Sequence, residues 1–270
     1  SCSLAAAPIY QNARMAQISP SSSNPEISRK GFDTFFRTCA TDDIQAPQAA
    51  YFAFNQLKAR KIFIIDDKTT YGKGIADEFE KESRRLGIAV LGHEGITQGE
   101  KDFSPLLTKI KGLGPDLIFF GGMYPEGALL VRQAKSLGLS PRWLGGDGLY
   151  VRAFIDLAKE DAEGVYCTFI GADVSSMESA SHYLETYTAR FGQERGPYSA
   201  YAYDAANIII AAIRTAGKKD RLAVLAQTRA TKDFPGVVGP TSFDRKGDSS
   251  VQLIGVFQVR NQAFEYAGAA

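Results

Sequence analysis

The sequence predicts an α/β protein built on parallel sheet, and three observations predict it. Strand-like segments alternate with helix-length amphipathic segments through the first two thirds of the chain, the pattern of βαβ units. Two of the strand-like segments, residues 61–66 and 117–120, are near-continuous apolar runs of the kind shown by parallel strands buried on both faces. Glycine and proline stand at the joints. Gly121-Gly122 closes the second run, Pro125 stands at the start of the next helix, and Gly138 follows that helix.

In chain order, a helix is expected over 4–14, a strand over 15–19, and a polar turn over Pro20-Ser21-Ser22-Ser23-Asn24-Pro25. An extended segment at 34–38 leads into a helix at 44–58 and the buried strand 61–66. The helix over 72–86 carries Ile75, Phe79 and Leu86 at spacings of four and seven, one apolar stripe. A strand at 88–91 follows, then a helix to about Lys111 that Asp102 or Ser104 can cap. After the strand at 117–120, the helix between Pro125 and Gly138 presents Leu130, Ala134 and Leu137 to the core. A short strand at Trp143-Leu144, a helix at 150–159 and a strand at 165–169 complete the alternation. Two long helices, 176–191 and 199–216, a short helix and terminal strands at 251–259 and 263–266 end the chain.

Composition narrows the function. The 270 residues hold 31 Lys+Arg against 30 Asp+Glu, a formal charge of +1, so the electrostatic footprint of a nucleic-acid binder is missing. At 44% hydrophobic and 23% charged the chain is globular in character. No purely apolar run exceeds six residues, as at 208–213, well short of the about 20 that a membrane helix needs. The length fits one large domain or two ordinary ones. The first residues, Ser-Cys-Ser, show neither initiator Met nor the basic and apolar regions of a signal peptide.

Chemistry-bearing patterns are few. Cys2, Cys39 and Cys167 form no C-x-x-C pair, and His93 and His182 are the only imidazoles, which removes zinc-site and thioredoxin spacings. There is no G-x-S-x-G, no G-x-G-x-x-G after a strand and no phosphate-binding G-x-x-x-x-G-K loop. His182 reads as a solvated helix residue and His93 as structural. Asp66-Asp67-Lys68, at a strand end, allows a phosphoacceptor reading, and a polar strand-to-helix turn fits better. What remains is a set of hydroxyls and aromatics beside strand ends and helix starts. Ser3 precedes an apparent helix, Ser21, Ser22 and Ser23 follow a strand, and helix N-termini with hydroxyls suit a carboxylate. The same serines also read as ordinary N-caps. Tyr71, Met123, Tyr124 and Asp147 all follow strand ends, where open α/β sheets bind ligands. Asp147 for an ammonium and the serines for a carboxylate would suit a zwitterion. No base, nucleophile or metal cluster accompanies them, so the pattern is binding without chemistry, and no cofactor or metal is expected.

The stretches Ser19-Pro20-Ser21-Ser22-Ser23-Asn24-Pro25, Asp67-Lys68-Thr69-Thr70-Tyr71-Gly72-Lys73-Gly74, Gly95-Ile96-Thr97 with Glu100-Lys101-Asp102-Phe103-Ser104, Gly121-Gly122-Met123-Tyr124-Pro125-Glu126 and Val238-Gly239-Pro240-Thr241 occur in this order. Together they resemble the periplasmic binding proteins for leucine, isoleucine and valine that serve ABC transporters, over essentially the whole chain. The resemblance implies a type I periplasmic-binding-protein fold, two parallel-sheet α/β lobes joined by a hinge of three crossings, with ligand captured by lobe closure. It implies a first lobe of residues 1–40 and 170–249, lacking its N-terminal part, and a second lobe of 41–169 and 250–270. Such a first lobe would expose part of its sheet and bind ligand weakly on its own.

For the site, the resemblance implies that hydroxyl and backbone at Ser3 and Ser23 hold the ligand carboxylate, with Ser22 in the same loop. A carbonyl at Ser21 and the acid Asp147 would hold the ammonium, and Tyr71 would add an aromatic contact. Two departures stand out: Asp147 where the family often has Glu, and Met123, with Tyr124 beside it, where an aromatic is common. The α-amino-acid anchor carries over and the side-chain pocket does not. The implied setting is extracytoplasmic, with a signal peptide outside the 270 residues, a small amino-acid ligand, a membrane permease as partner, a monomer and no enzymatic activity. Cys2 matches a position that pairs with an upstream cysteine. Cys39 and Cys167 fall on implied hinge crossings, so a disulfide between them, at a Cα separation of about 4.4–6.8 Å, stands beside the reading of two buried thiols. Two other readings remain open: a ligand sensor of the same fold, and an α/β enzyme using Asp66, Asp67 or Asp147.

Overall fold

Apolar runs fold as strands and the amphipathic stretches between them as helices. The computed structural model describes residues 2–192 and 195–269, so residues 1, 193, 194 and 270 of the expected lobes lie outside the described residues. The chain opens with α1 (Cys2–Asn12), β1 (Gln17–Ser19), α2 (Glu26–Arg29) and β2 (Phe35–Arg37). Strict alternation then runs through α3 (Asp42–Asn55), β3 (Lys61–Asp66), α4 (Thr70–Arg85), β4 (Ala89–Gly95), α5 (Ser104–Leu113), β5 (Leu117–Gly121), α6 (Tyr124–Ser136), β6 (Arg142–Gly145), α7 (Arg152–Ala158) and β7 (Tyr166–Phe169). Helices α8 (Ser181–Phe191), α9 (Ser199–Ala216) and α10 (Arg221–Arg229) follow. Strands β8 (Phe234–Gly236), β9 (Gly239–Thr241), β10 (Gly255–Arg260) and β11 (Ala263–Ala269) end the chain.

Two compact units result: Ser1–Thr41 with Ile170–Leu253, and Asp42–Phe169 with Ile254–Ala270. The second unit is built on a seven-stranded sheet in the order β11-β10-β7-β6-β5-β3-β4. Strands β3 to β7 are parallel, and β10 is antiparallel to both β7 and β11. The apolar runs are the central strands, with Ile62 to Ile65 and Leu117 to Phe120 fully buried. Helix α4 covers them with Ile75, Ala76 and Phe79, and Phe79 stacks on Phe119 with ring centroids 3.8 Å apart. Because β4 and β5 lie on opposite sides of β3, the strand order reverses there. The carboxyl ends of β3 and β5 thus flank a switch point, the usual place for a ligand crevice in an open α/β sheet.

The first unit carries a parallel pair, Gln17↔Phe35 to Ser19↔Arg37, and the small hairpin β8–β9. The hairpin is tied to α9 by Asp204, which is 1% exposed and accepts from the Val237 and Val238 N–H groups at 2.8 and 2.9 Å. Burial pushes the Asp204 carboxyl above its ordinary value despite these two donors.

Two of the element starts and one cap differ from expectation for a local reason. The helix expected from 176 starts at Ser181, because Asp173 accepts from the Ser175 N–H at 2.9 Å and caps a separate 3-10 turn, Val174–Ser176. The terminal strand expected from 251 starts at Gly255. Residues 250–253 belong to the first unit, where Gln252 accepts from the Thr41 N–H at 3.3 Å and donates to the Ser249 carbonyl at 2.6 Å. Neither Asp102 nor Ser104 caps α5; Asp102 Oδ1 instead accepts from the Ser104 N–H at 3.0 Å in the turn before it.

Candidate functional site

In the second unit the strand ends converge on Asp147. β6 stops at Gly145, Gly146 continues extended, and Asp147 begins a 3-10 turn to Leu149 with only 4% of its surface exposed. Tyr71, in the first turn of α4, donates from Oη to Asp147 Oδ1 at 2.9 Å and accepts from the Gly148 N–H at 2.9 Å.

The turn after β3 sets where Tyr71 stands. Asp67 donates from its N–H to the Gly121 carbonyl at 3.0 Å, and its Oδ1 accepts from the Thr69 N–H and hydroxyl at 2.9 and 2.6 Å. Thr69 Oγ1 then accepts from the Gly72 N–H at 2.9 Å and caps α4. A Cβ on Gly72 would lie 2.2 Å from Asp67 Oδ1 and 2.4 Å from the Gly121 carbonyl, so only glycine lets helix and turn approach this closely.

Asp66 and Asp67 are therefore turn carboxylates, the polar-turn reading, with Asp66 Oδ1 accepting from the Lys68 N–H at 2.7 Å. Burial holds Asp67 above the usual aspartate value, with the nearby charges of Glu126 and Asp66 adding to it. Met123 and Tyr124 stand at the start of α6, just past β5, with Met123 40% exposed. The carbonyl of the preceding Gly122 abuts Gly148, where a Cβ would come within 2.2 Å of it. The ends of β5 and β6 are thus side by side at this point.

Next to that turn, His93 lies between two carboxylates, Nε2 3.0 Å from Asp66 Oδ2 and Nδ1 2.6 Å from Glu80 Oε2. A carboxylate beside each ring nitrogen favours a proton on both, the imidazolium form. Its Asp66 hydrogen bond, against the effect of burial and with help from Glu80, holds His93 above its ordinary value. Burial works to raise Asp66, but the His93 and Lys68 hydrogen bonds and the charges of His93 and Lys73 carry it below. This cluster is a staple across β3, β4 and α4. His182 is exposed on α8. Among the described residues no group of three or more His, Cys, Asp or Glu side chains is arranged to hold a metal ion, and no helix is long and apolar enough to cross a membrane.

The first unit gathers the serines. Ser3 lies inside α1 rather than ahead of it, because helical backbone begins at Cys2. Its Oγ is 2.6 Å from Ser22 Oγ. Ser19 ends β1, and its Oγ accepts from the Ser22 N–H at 3.0 Å and the Ser21 N–H at 3.4 Å, folding the loop back on the strand. Ser23 is 2% exposed, and its Oγ is buried with no hydrogen bond among the described residues.

Behind this loop sits a residue that none of the sequence motifs includes. Arg37, fully buried, donates to the Ser22 carbonyl, to the Asn24 carbonyl at 3.1 Å, to Ser28 Oγ at 2.6 Å and to Asp248 Oδ1 at 2.7 Å. The available signal was an arginine embedded in the apolar strand Phe35-Phe36, where an unpaired charge would be prohibitive.

Cys39 and Cys167 are both buried and neither is in a disulfide, so the bridge considered from the sequence is not formed in this structure. Burial, with the charge of Asp147 next, pushes the Cys167 thiol well up, which suppresses the thiolate needed for exchange. Cys2 is exposed and likewise outside any disulfide.

A sequence model of a protein family described as periplasmic binding protein matches residues 1–263. The chain is 35% identical over 243 residues to Leu/Ile/Val-binding protein homolog 1 of Brucella abortus, which covers 90% of this chain and 65% of that protein. It therefore spans slightly less than two thirds of that relative's length. Among solved structures, a leucine binding protein of Thermotoga maritima superposes with a TM-score of 0.92 at 30% identity, covering 99% of this chain and 76% of that one. A branched-chain amino acid transporter substrate binding protein of Streptococcus pneumoniae, solved with isoleucine, gives 0.89 at 28% identity, covering 99% of this chain and 76% of that one.

Proposed function

The chain belongs to the periplasmic binding protein family, and on that premise we propose that it captures a small zwitterionic amino acid of the branched aliphatic type by lobe closure and delivers it to an ABC-transporter permease. The setting is extracytoplasmic. Asp147 takes the ammonium, with the Ser21 carbonyl as its second acceptor. Ser3, Ser22 and Ser23 take the carboxylate, and Tyr71 closes over the ligand while Met123 and Tyr124 border its side chain.

One observation carries this reading. A buried carboxylate, Asp147, stands at the end of a parallel strand and accepts from Tyr71 Oη, which the Gly148 N–H holds in turn, and no metal-holding group of His, Cys, Asp or Glu side chains is found among the described residues. A braced, desolvated anion of this kind pairs strongly with a cation placed against it. The branched aliphatic ligand class is supported by the names of the Brucella relative and of the isoleucine-bound Streptococcus structure.

A thermal-shift screen over the amino acids tests it. At 100 times its Kd a ligand that binds only the folded protein stabilises by about 2.7 kcal/mol. Leucine, isoleucine or valine should raise the melting temperature, and no shift with any amino acid would contradict the proposal.

A further inference from the structure

We infer that Arg37 is a positioning residue for the ligand carboxylate, holding the Ser21–Asn24 loop from behind so that the loop presents its donors. The inference rests on the proposed function and assigns a residue that the binding motif does not include. Burying a guanidinium is costly unless every donor is matched. A structural ion pair with Asp248 would require only the Nε–Oδ1 bond at 2.7 Å. The other three hydrogen bonds all go to one short segment: the Ser22 carbonyl, the Asn24 carbonyl at 3.1 Å and Ser28 Oγ at 2.6 Å.

The geometry of the peptide group turns this into a statement about the site. In a planar trans peptide, C=O and the following N–H point in opposite directions. With the Ser22 carbonyl fixed on Arg37, the Ser23 N–H is directed away from the guanidinium, on the side of the loop opposite the buried charge. Ser23 also carries the hydroxyl that is buried without a hydrogen bond among the described residues. The loop thus offers a donor pair at Ser23, backed by a fixed positive charge, which is the complement of a carboxylate.

The arginine is itself rigidly seated. The Arg37 N–H donates to the Gly247 carbonyl at 2.9 Å, and Gly247 adopts a positive φ of 83° in which a Cβ would lie 2.1 Å from the Phe35 carbonyl. The Phe35 ring lies 5.2 Å from the guanidinium carbon. Asp248, the counter-charge, is held by its N–H donating to Asp244 Oδ1 at 2.9 Å.

The test is calorimetry with L-leucine, alongside thermal melts, on the wild type, Arg37→Lys and Asp248→Asn. Lysine keeps the charge but cannot reach two carbonyls and a hydroxyl in the fork geometry of a guanidinium. Arg37→Lys should weaken leucine about tenfold, the scale of one lost charge-assisted hydrogen bond. Asp248→Asn should lower the melting temperature yet leave the affinity within about twofold, because the loop carbonyls keep their donor.

Wild-type affinity in Arg37→Lys, or affinity that falls in step with melting temperature in both variants, overturns the assignment while leaving the proposed function standing. A wild type that binds no amino acid overturns both. Should Arg37→Lys fail to fold, Ser28→Ala removes a single acceptor. It should weaken leucine about threefold at near-normal melting temperature, and unchanged affinity there overturns the assignment.

Discussion

Replacing Tyr71 by Phe isolates the bond that braces Asp147 in the second unit. The ring keeps its place, since it packs against Gly148 and Gly146, where Cβ atoms would come within 3.1 and 3.6 Å of ring carbons. Only the hydroxyl is lost, and with it two hydrogen bonds of 2.9 Å. The Gly148 N–H, in a buried residue, loses its acceptor, which costs about 1–3 kcal/mol. Asp147, a buried anion, loses one donor, a charge-assisted bond of about 1.5–3 kcal/mol. Because both losses centre on one atom, and a water can enter the space left by it, the expected net effect is about 2–3 kcal/mol. For a chain of this size about 2–4 °C of melting temperature goes with each kcal/mol, so the variant should melt roughly 4–12 °C lower. Urea denaturation followed by circular dichroism gives the free energy directly, with an unchanged m-value. A loss below about 0.5 kcal/mol would mean that the hydroxyl is solvated rather than bracing Asp147, and the geometry of the half-site would need another explanation.

Other expected outcomes concern the surrounding scaffold. His93 is held above its ordinary 6.5, so its stabilisation is whole below pH 6.5 and disappears as pH rises through the raised value. Asp66 and Glu80 are held below their ordinary values, so theirs is present above pH 3.8 and 4.5 and is lost as pH falls through the lowered values. Urea midpoints across pH should therefore decline on the alkaline side in the wild type and flatten there in His93→Gln; parallel alkaline limbs would refute the staple. Asp204→Ala leaves the Val237 and Val238 N–H groups without acceptors in the first unit and should cost about 3 kcal/mol in the same assay. Under about 1 kcal/mol would show that the hairpin is held by other contacts. Gly148→Ala forces a Cβ to 2.2 Å from the Gly122 carbonyl, a backbone atom that has to move, and should cost about 1–3 kcal/mol together with most of the leucine affinity. Wild-type affinity in that variant would show that the turn can shift without disturbing Asp147.

What could be read from the sequence, and what could not, divides along the range of the interactions. Strands β3 and β5 were legible because burial on both faces writes itself into consecutive residues, Ile62 to Ile65 and Leu117 to Phe120. Tyr71 and Asp147 were legible as strand-end residues. Their pairing was not, since it joins positions 76 apart through a turn whose geometry depends on Asp67, Thr69 and Gly72. The role of Arg37 was illegible for the same reason, although its place in an apolar strand marks it. Alone it is one arginine in a short strand, and its meaning comes from a carboxylate 211 residues away and a loop 13–15 residues before it. The delayed start of α8 came from side-chain capping at Asp173, which competes with helix in a way that apolar spacing does not register.

In the proposed function the amino-acid ammonium is held by Asp147. Calorimetry with L-leucine on the wild type and on Asp147→Ala tests it most directly. Saturable binding by the wild type and none by the variant is the expected result, because the ligand ammonium would be left desolvated without its counter-charge, at a cost of several kcal/mol. Leucine affinity preserved in Asp147→Ala, or absent from the wild type, would contradict the account.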